Sequence, residues 1–564
     1  MKWVLTKTND EYLTYLSKKT GISKILAQIL INRGIKDPSQ VRDFLNPSLS
    51  LLSDPFCLHD LEMAILRIRE AIKNNERILI HGDYDVDGLA ATSIMVEGLK
   101  RLGADVHFFI PSRHAHGYGF NEPGLQRAKD IGASVIITVD CGIKSFTTAA
   151  EAKRRGIDII ITDHHLPLWS SAGDNKPLLP EAVAVVNPKI NPSDSNMHIS
   201  GAGVAFKVMQ ALYGGLDDVM EFLDLLSLAT VGDIVPLTGE NRNILSEGLD
   251  FLMKTERPGL RVLLELSGMK DRELTPSNLS FTLIPRLNAA GRLEEASDVV
   301  RLLTTRDAAD AEKIARWLDW LNRQRQSIEE DIYEEAQELF KRKYEDIPYG
   351  IVLYKEGWHA GVIGIIASRL QEEFYRPAFI FTVKDGIATG SVRSIPEIDI
   401  MEILDSLERF FIRYGGHSQA AGLSLYLKDM VEFEASLQKK LSEYMKEERP
   451  VPTLRIDTEV SFDDINYSLL RELKNLEPLG YGNEEPLLGA KKILPVESRV
   501  VGNGHLKLRL RQHDHEFDVI GFGMAELIDI ASEPVDIAFL PQINDFNGRR
   551  SIQLKIRAIR KSLP

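Results

Sequence analysis

The sequence predicts an α/β protein whose first large domain is built on a parallel sheet. Short apolar runs without alternation, at residues 78–80, 135–139 and 159–162, are typical of strands buried on both faces. Stretches of helical length separate these runs, which favours parallel pairing. A long segment without glycine or proline follows at 307–347, and short β-like runs dominate the C-terminal region. We therefore expect a parallel-sheet domain, a long connecting helix, a smaller α/β domain and a C-terminal all-β domain.

Acidic side chains and histidines follow the predicted strands at the point where each strand ends. Carboxylates at every second position, as in the run HGDYDVDG at 81–88, repel one another and are best tolerated when cations bind among them. The carboxyl ends of parallel strands meet at one edge, where open α/β sheets place their sites. A further acid follows an apolar, helix-like stretch at 220–229. The residues expected to converge are Asp85, Asp87, Asp140, His164 and Asp233.

This donor set predicts a metal-dependent enzyme. Carboxylates with imidazoles suit Mn²⁺, Mg²⁺ or Zn²⁺, and the dominance of carboxylates favours the first two. For any single acid the alternative is a helix cap. Neither of the two cysteines needs a role in this chemistry, and we expect Cys141 to pack behind the site rather than to bind metal.

Length and composition bound the class of protein. The 564 residues suggest about three to four domains. There is no apolar stretch of about 18 residues and no signal-peptide core near the start, so we expect a cytoplasmic protein without a membrane span. Two cysteines agree with a reducing compartment.

The net charge of −14 does not favour a nucleic-acid partner, but a local groove matters more than the total. Basic residues are concentrated at the end of the chain, where residues 548–564 include no acid. Either they bind a nucleic acid or they form a solvated strand face. They are Arg549, Arg550, Lys555, Arg557, Arg560 and Lys561.

The same patterns predict the domain boundaries. Residues 1–45 form short helices, 46–305 carry the acids, and 306–347 form the connecting helix. Residues 348–448 form the second α/β domain, a linker follows, and 453–564 form a small barrel of the OB type.

Taken together, the motifs resemble those of the DHH phosphoesterase superfamily. The matching segments are HGDYDVDG at 81–88, VDCG at 139–142, DHH at 163–165 and GD at 232–233. GGHSQAAG at 415–422 resembles the glycine-rich loop of the DHH-associated domain. PRLNAAGR at 285–292 and the OB-like segment narrow the resemblance to the RecJ family of single-strand-specific 5′ exonucleases. The resemblance covers nearly the whole chain, which ends too soon for the further C-terminal domain of some members.

The resemblance implies two divalent ions, Mn²⁺ or Mg²⁺, that lie about 3.5–4 Å apart and activate water. His81, Asp85 and Asp140 would bind one ion, and Asp87, Asp140, His164 and Asp233 would bind the other. Asp83 would orient His81 or accept a proton from the water, in preference to binding metal directly. His165 would donate to the scissile phosphate or serve as a structural imidazole, and Asp163 would cap its turn.

The resemblance also implies contacts with the substrate. Arg113, Ser391 and Arg393 resemble residues near the 5′ end, and Arg286 resembles one that faces the nucleotide beside the metals. Each arginine has a surface ion pair as its alternative. Tyr118 would stack on a base or pack in a core. Gly415, Gly416 and His417 would let the backbone approach a nucleotide closely.

We therefore expect a metal-dependent 5′ to 3′ exonuclease that hydrolyses single-stranded DNA to 5′-mononucleotides in DNA recombination and repair. A phosphodiesterase of short RNA or cyclic dinucleotides, or a pyrophosphatase, is the alternative within enzymes; the C-terminal β domain argues against these. A catalytically inactive replication scaffold is the alternative outside enzymes; the intact acids argue against it. The expected partners are a 5′-ended single strand, a helicase and a single-strand-binding protein, with the enzyme a monomer.

Overall fold

A computed structural model describes residues 1–113, 117, 119–170, 176–191, 198–446, 449–546 and 549–562. The chain divides into two compact units. The larger unit comprises Trp3–Ile284, Ala296–Glu312 and Leu454–Pro564, and the smaller comprises Met1–Lys2, Pro285–Glu295 and Lys313–Thr453. Within the described ranges, no helix has the length and apolarity that crossing a membrane requires.

The larger unit contains the predicted parallel sheet. Its strands are, in spatial order, Asp105–Phe109, Arg77–His81, Val135–Val139, Asp158–Thr162 and Ala184–Val186, all parallel. The three central strands are buried almost throughout, which explains their unbroken apolar sequences. The prediction of a parallel sheet is confirmed.

Helices cover this sheet. The most buried are Val86–Arg101, Gly201–Tyr213 and Leu223–Gly232, which pack on one another. The other helices of this part of the chain are Leu61–Lys73, Glu122–Ile131, Phe146–Arg154, Gly239–Met253, Pro258–Leu266, Pro276–Phe281 and Ser297–Thr304.

The C-terminal part of the larger unit is a closed barrel. Its strands are Thr458–Glu459, Leu488–Val501, His505–Gln512, His515–Gly521, Arg549–Lys561 and Val535–Phe546 in spatial order, and the last pairs with Leu488–Val501. The predicted OB-type fold is confirmed. The expectation of an all-β domain missed one helix, Tyr467–Lys474, whose buried leucines face the barrel core.

The N-terminal helices share a hydrophobic core with this barrel. They are Asp10–Thr20, Lys24–Asn32 and Pro38–Leu45. Leu16, Leu26 and Ile29 belong to the same buried cluster as Phe462 and Phe539 of the barrel. The chain start is therefore packed on its distant C-terminal region, which the local sequence did not indicate.

The smaller unit contains a mixed sheet. Its strands are Phe411–His417, Ala420–Tyr426, Ile387–Arg393, Ala378–Lys384 and Ile351–Glu356 in spatial order, with helices Ile363–Phe374, Ile400–Asp405 and Met430–Tyr444. The segment predicted as a glycine-rich loop at 415–422 lies in a β-hairpin, where Gly415 pairs with Gly422. Helix Leu283–Leu293 precedes this part of the chain, and helix Ala308–Lys343, of 36 residues, corresponds to the predicted connecting helix.

Candidate metal centre

The turn after strand Arg77–His81 brings two aspartates into the candidate site through backbone hydrogen bonds. Asp85 caps helix Val86–Arg101, since its Oδ1 accepts from the amides of Asp87 at 3.0 Å and Gly88 at 3.2 Å. Both oxygens of Asp87 accept amides from the start of helix Gly201–Tyr213, Gly201 at 2.6 Å and Ala202 at 2.8 Å. The positive end of that helix therefore compensates one buried carboxylate. The sequence interpretation missed this helix terminus, although Ser200 before the run GAG at 201–203 is a capping signal.

Asp140 follows strand Val135–Val139 in the left-handed region, with φ of +59°. This conformation is rare outside glycine but tolerated by aspartate. A Cβ on Gly201 would lie 2.5 Å from the Cβ of Asp140. Only glycine at 201 therefore lets the helix terminus and this carboxylate come so close.

His164 lies at the centre of the converging acids. Its Nε2 is 3.1 Å from Asp140 Oδ1, 3.6 Å from Asp233 Oδ2 and 3.8 Å from Asp87 Oδ2. Its Nε2 is buried and has no hydrogen-bond partner among the described residues. A buried imidazole nitrogen that faces several carboxylates without bonding any of them has the arrangement of a metal ligand.

Asp163 organises the turn that carries both histidines. One of its oxygens accepts from the amides of His164 and His165, and the other from Ile143. Its Oδ1 also lies 2.7 Å from His165 Nδ1. Asp163 thus caps its turn, and it also orients the His165 ring.

The acids of the cluster are buried together although their negative charges repel one another. Burial, followed by the charge of Asp85, raises the pKa of Asp87 to about 7. Burial, followed by the charge of Asp87, raises the pKa of Asp233 to about 9. The pKa values of Asp83 and Asp140 are also raised well above the ordinary value, again chiefly by burial. Several buried carboxylates with raised pKa values in one place indicate a functional site.

The two histidines differ in protonation. Burial and the neighbouring His165 lower the pKa of His164 to about 3, which keeps it neutral as a metal ligand must be. Burial opposes the charge of His165, but Asp163 outweighs it and the pKa of His165 is raised. His165 is therefore equipped to donate a proton or a hydrogen bond.

The donor atoms fit divalent cations. Three groups offer atoms that lie within 4.8 Å of one another: Asp83, Asp85 and Asp140; Asp87, His164 and Asp233; and Asp140, His164 and His165. Asp140 belongs to two of these groups, as a bridging ligand would. Carboxylates dominate two of the three groups, Asp83 with Asp85 and Asp140, and Asp87 and Asp233 with His164, which fits Mn²⁺ or Mg²⁺.

Asp83 belongs to one of these donor groups, whereas His81, also predicted as a ligand, belongs to none of the groups found in the described part of the chain. Asp83 is buried, its Oδ1 has no hydrogen-bond partner in the described part of the chain, and it shares a donor group with Asp85. This geometry makes Asp83 available as a direct ligand, a role that ranked second in the sequence interpretation. His81 is fully buried, and Cys141 Sγ lies 3.8 Å from its Nδ1. Cys141 is buried behind the cluster, as expected for a packing role.

The smaller unit holds Ser391 and Arg393 together. Arg393 donates to Ser391 Oγ at 3.2 Å and to the carbonyl of Val392 at 2.8 Å. A Cβ on Gly364, in the first turn of helix Ile363–Phe374, would lie 3.0 Å from Ser391 Oγ and 3.4 Å from a guanidinium nitrogen of Arg393. A helix N-terminus, a hydroxyl and a guanidinium thus meet, which is a suitable arrangement for a phosphate group.

The other residues predicted to contact the substrate lie in different local environments. Arg286 forms an ion pair with Asp319 at 2.9 Å, but both side chains are largely buried, so this pair differs from the surface ion pair given as the alternative. Arg113 lies in the larger unit with its guanidinium 5.2 Å from the centre of the Tyr84 ring. Gly415, Gly416 and His417 are exposed on their strand. Tyr118 lies outside the described residues.

Most of the described basic side chains at the end of the barrel have acidic partners. Arg557 pairs with Glu485, Arg560 with Asp536 and Lys561 with Glu533. Lys555 differs, because its Nζ lies 5.7 Å from the centre of the Phe522 ring, which is 54% exposed. The solvated-face interpretation therefore holds for Arg557, Arg560 and Lys561, and Lys555 with Phe522 is the better candidate for a nucleic-acid contact.

Three family models match the chain, and together they cover the parts just described. The DHH family N-terminal domain matches residues 77–230, the DHHA1 domain residues 348–447 and the RecJ OB domain residues 456–558. The single-stranded-DNA-specific exonuclease RecJ of Bacillus subtilis strain 168 is 36% identical over an alignment of 565 positions, which covers 99% of this chain and 70% of that one. The chain belongs to the RecJ family. The RecJ of Dickeya dadantii strain 3937 is 34% identical over 95% of this chain and 96% of its own length.

Solved RecJ structures agree with this membership. The RecJ of Thermus thermophilus in complex with Mn²⁺ superposes with a TM-score of 0.85 at 32% identity, covering 100% of this chain and 80% of that one. The same protein in complex with Mg²⁺ gives a TM-score of 0.79 at 30% identity, covering 100% of this chain and 79% of that one. The RecJ of Thermus thermophilus thus binds the two ions that the donor set of this chain favours.

Proposed function

We propose that this protein is a metal-dependent exonuclease that hydrolyses single-stranded DNA from its 5′ end to 5′-mononucleotides, in DNA recombination and repair. The observation that carries the proposal is the set of buried, mutually repelling acids around His164, in a chain that belongs to the RecJ family. The barrel supports a strand substrate, since OB-type barrels bind oligonucleotides.

The residues of the cluster hold the ions in this proposal. His81, Asp85 and Asp140 would bind one ion, with Asp83 beside them, and Asp87, Asp140, His164 and Asp233 would bind the other. When bound, such a pair neutralises the charge of a phosphodiester and lowers the pKa of a water. The helix terminus at 201–202 fixes Asp87, and Asp163 fixes the turn of His164, so that the ligands are held in place before the ions arrive.

His165 and Asp83 handle protons and phosphate oxygens. The charge of Asp163 keeps His165 ready to donate to an oxygen of the scissile phosphate. Burial, followed by the charge of Asp85, raises the pKa of Asp83, which suits a group that takes up a proton.

Ser391 and Arg393 bind the terminal 5′-phosphate in this proposal. A dianionic monoester gains more from a guanidinium and a helix N-terminus than an internal diester with one charge does. An exonuclease needs such an end-reading site, because a continuous strand offers no other mark of its end.

We further propose that the enzyme acts as a monomer in the cytoplasm, with a helicase and a single-strand-binding protein supplying and protecting its strand. The proposal is supported by the substrate, which must be unwound before a strand-specific enzyme degrades it.

The test uses one oligonucleotide labelled at either end, as a single strand and as a duplex, with Mn²⁺ or with chelator. We expect mononucleotides from the 5′ label first, only from the single strand and only with metal. Asp140→Ala serves as the inactive control. Hydrolysis that begins at the 3′ end, or a cyclic dinucleotide cleaved faster than the strand, would overturn the proposal.

A further inference from the structure

Lys189 lies at the carboxyl ends of the parallel strands, as the acidic cluster does. It is in the turn after strand Ala184–Val186. This strand pairs in parallel with Asp158–Thr162, and the amide of Asp163 donates to the carbonyl of Val186 at 3.1 Å. Asn187 connects the two turns, since its side-chain amide donates to the carbonyl of His165 at 2.9 Å and its Oδ1 accepts from the amide of Lys189 at 2.8 Å. The turn at 187–189 is therefore fixed against the turn that carries both histidines.

Lys189 is half-buried in this turn. Burial lowers the pKa of Lys189, and the carboxylates of Asp233, Asp163 and Asp140 act against that shift. Yet in the described part of the chain no carboxylate lies within 4.0 Å of its Nζ. A half-buried cation that is attracted by acids but pairs with none of them is available to an anionic ligand.

A second cation lies on the other side of the cluster. Arg113 follows strand Asp105–Phe109, at the opposite end of the strand order, and it acts on Asp83. The strands that precede these two cations are four spacings apart, about 19 Å at about 4.8 Å each. The acid-bearing strands lie between them, so the cluster is flanked by one cation on each side.

We propose that Lys189 binds the phosphate that follows the scissile phosphodiester, on the side away from the terminal nucleotide. The assignment rests on the proposed exonuclease function. If the scissile group lies over the acids and the 5′ end lies on the side of Arg113, the rest of the strand leaves over the side of Lys189. An ammonium on a flexible stem suits this contact, because it attracts a phosphate as a point charge without demanding one geometry.

Two short substrates separate this contact from the chemistry. A 5′-phosphorylated dinucleotide has only the scissile phosphodiester, whereas the trinucleotide also has the phosphate that Lys189 would bind. We expect Lys189→Gln to lower the trinucleotide-to-dinucleotide ratio of kcat/KM by about tenfold, as loss of one charged phosphate contact does. The loss should reside in the KM of the trinucleotide, and Lys189→Arg should restore part of the ratio.

The matched control is Lys129→Gln, which removes the same charge from the last turn of helix Glu122–Ile131, at the other edge of the sheet. Mn²⁺ affinity, measured by calorimetry, gives a readout besides activity. Since removal of a cation cannot weaken attraction for Mn²⁺, we expect Lys189→Gln to bind it at least as tightly as the wild type. Thermal unfolding of both Lys189 variants checks that they fold.

Any outcome that leaves the trinucleotide-to-dinucleotide ratio unchanged would overturn the assignment. An equal loss on both substrates would mean that Lys189 acts on the scissile group, and an unchanged ratio with altered Mn²⁺ affinity would make it only a counter-charge for the acids. A wild-type protein that cleaves neither substrate would instead refute the exonuclease function itself. Wild-type cleavage with an unchanged ratio in Lys189→Gln refutes only the role of the lysine.

Discussion

The acidic cluster and the end of the barrel both include a run of like charge in the sequence, at 83–87 and at 549–561, but the fold treats the two regions in opposite ways. In the cluster, Asp87, Asp140 and Asp233 are gathered in the interior around a neutral His164, where they repel one another. In the barrel, Arg557, Arg560 and Lys561 each receive an acid from elsewhere in the same domain.

This difference distinguishes a functional site from a solvated surface. Burial among like charges raises the pKa of a carboxylate by several units. Only a proton or a bound ligand then offsets the unfavourable charge. Exposed pairs on a barrel contribute little in either direction. A run of charges therefore indicates a site when the fold concentrates charges of one sign in the interior.

The largest expected effect comes from removing the acid shared by two donor groups. Asp140→Ala should lower kcat by several orders of magnitude, because both ions lose a ligand. The fold should survive, since one source of buried repulsion is also removed. Mn²⁺ titration of nuclease activity checks this, with the exposed Asp130→Ala as control. Activity near the wild-type level at saturating Mn²⁺ would refute the two-metal arrangement.

A smaller effect is expected at Ser391 and Arg393, the residues of the smaller unit that we propose bind the 5′-phosphate. Arg393→Ala should reduce the preference for a 5′-phosphorylated strand over a 5′-hydroxyl strand by about tenfold, the effect of one lost charged hydrogen bond. Calorimetry should show unchanged Mn²⁺ affinity. Arg413→Ala, exposed on another strand of the same sheet, is the matched control. If the preference persists in Arg393→Ala, the end of the strand is read elsewhere.

The buried acids should also make the metal-free protein sensitive to pH. Burial, followed by a neighbouring acid, raises the folded-state pKa to about 7 for Asp87 and about 9 for Asp233. The folded state then holds protons that the unfolded state releases above about pH 4. Stability therefore falls as pH rises from about 4, until about 7 for Asp87 and until about 9 for Asp233. In chelator, Tm should fall from pH 6 to pH 9 and Mn²⁺ should reverse the fall. Asp233→Asn should reduce the slope; the same slope as wild type would contradict the assignment.

The smallest effect is expected on the barrel. Lys555→Gln should reduce the slope of log affinity against log salt for long single strands by about 0.7, the value of one phosphate contact. Lys561→Gln removes the same charge from a side chain already paired with Glu533 and should leave the slope unchanged. Equal slopes for the two variants would mean that an ion pair with an acid does not decide which of these lysines binds a phosphate.

Substitutions test the barrel better than deletion does. Removal of the chain after residue 449 would expose Leu16, Leu26 and Ile29, which are buried in the core shared with the barrel. The buried Arg242 would also lose the carbonyls of Leu476 and Asn475. A truncated chain would therefore change its packing together with its strand binding.

The sequence by itself determined the elements and the chemistry. Apolar runs that end in Asp140 or in DHH at 163–165 predict buried parallel strands with acids at one edge, since burial on both faces leaves no other pattern. The donor types, and the motifs that carry the family resemblance, are likewise local properties. For that reason the parallel sheet, the long helix and the kind of metal could be inferred without a structure.

Only the tertiary structure decided which groups are compensated. That Gly201 and Ala202 neutralise Asp87, that Asp536 pairs with Arg560, and that Lys189 pairs with no acid among the described residues depend on segments distant in sequence. The same holds for the N-terminal helices, whose apolar faces find their partner in the barrel; the amide of Ser23, for example, donates to Glu472, which is 449 residues away. Periodicity shows that a face will be buried, but the partner depends on how the whole chain packs.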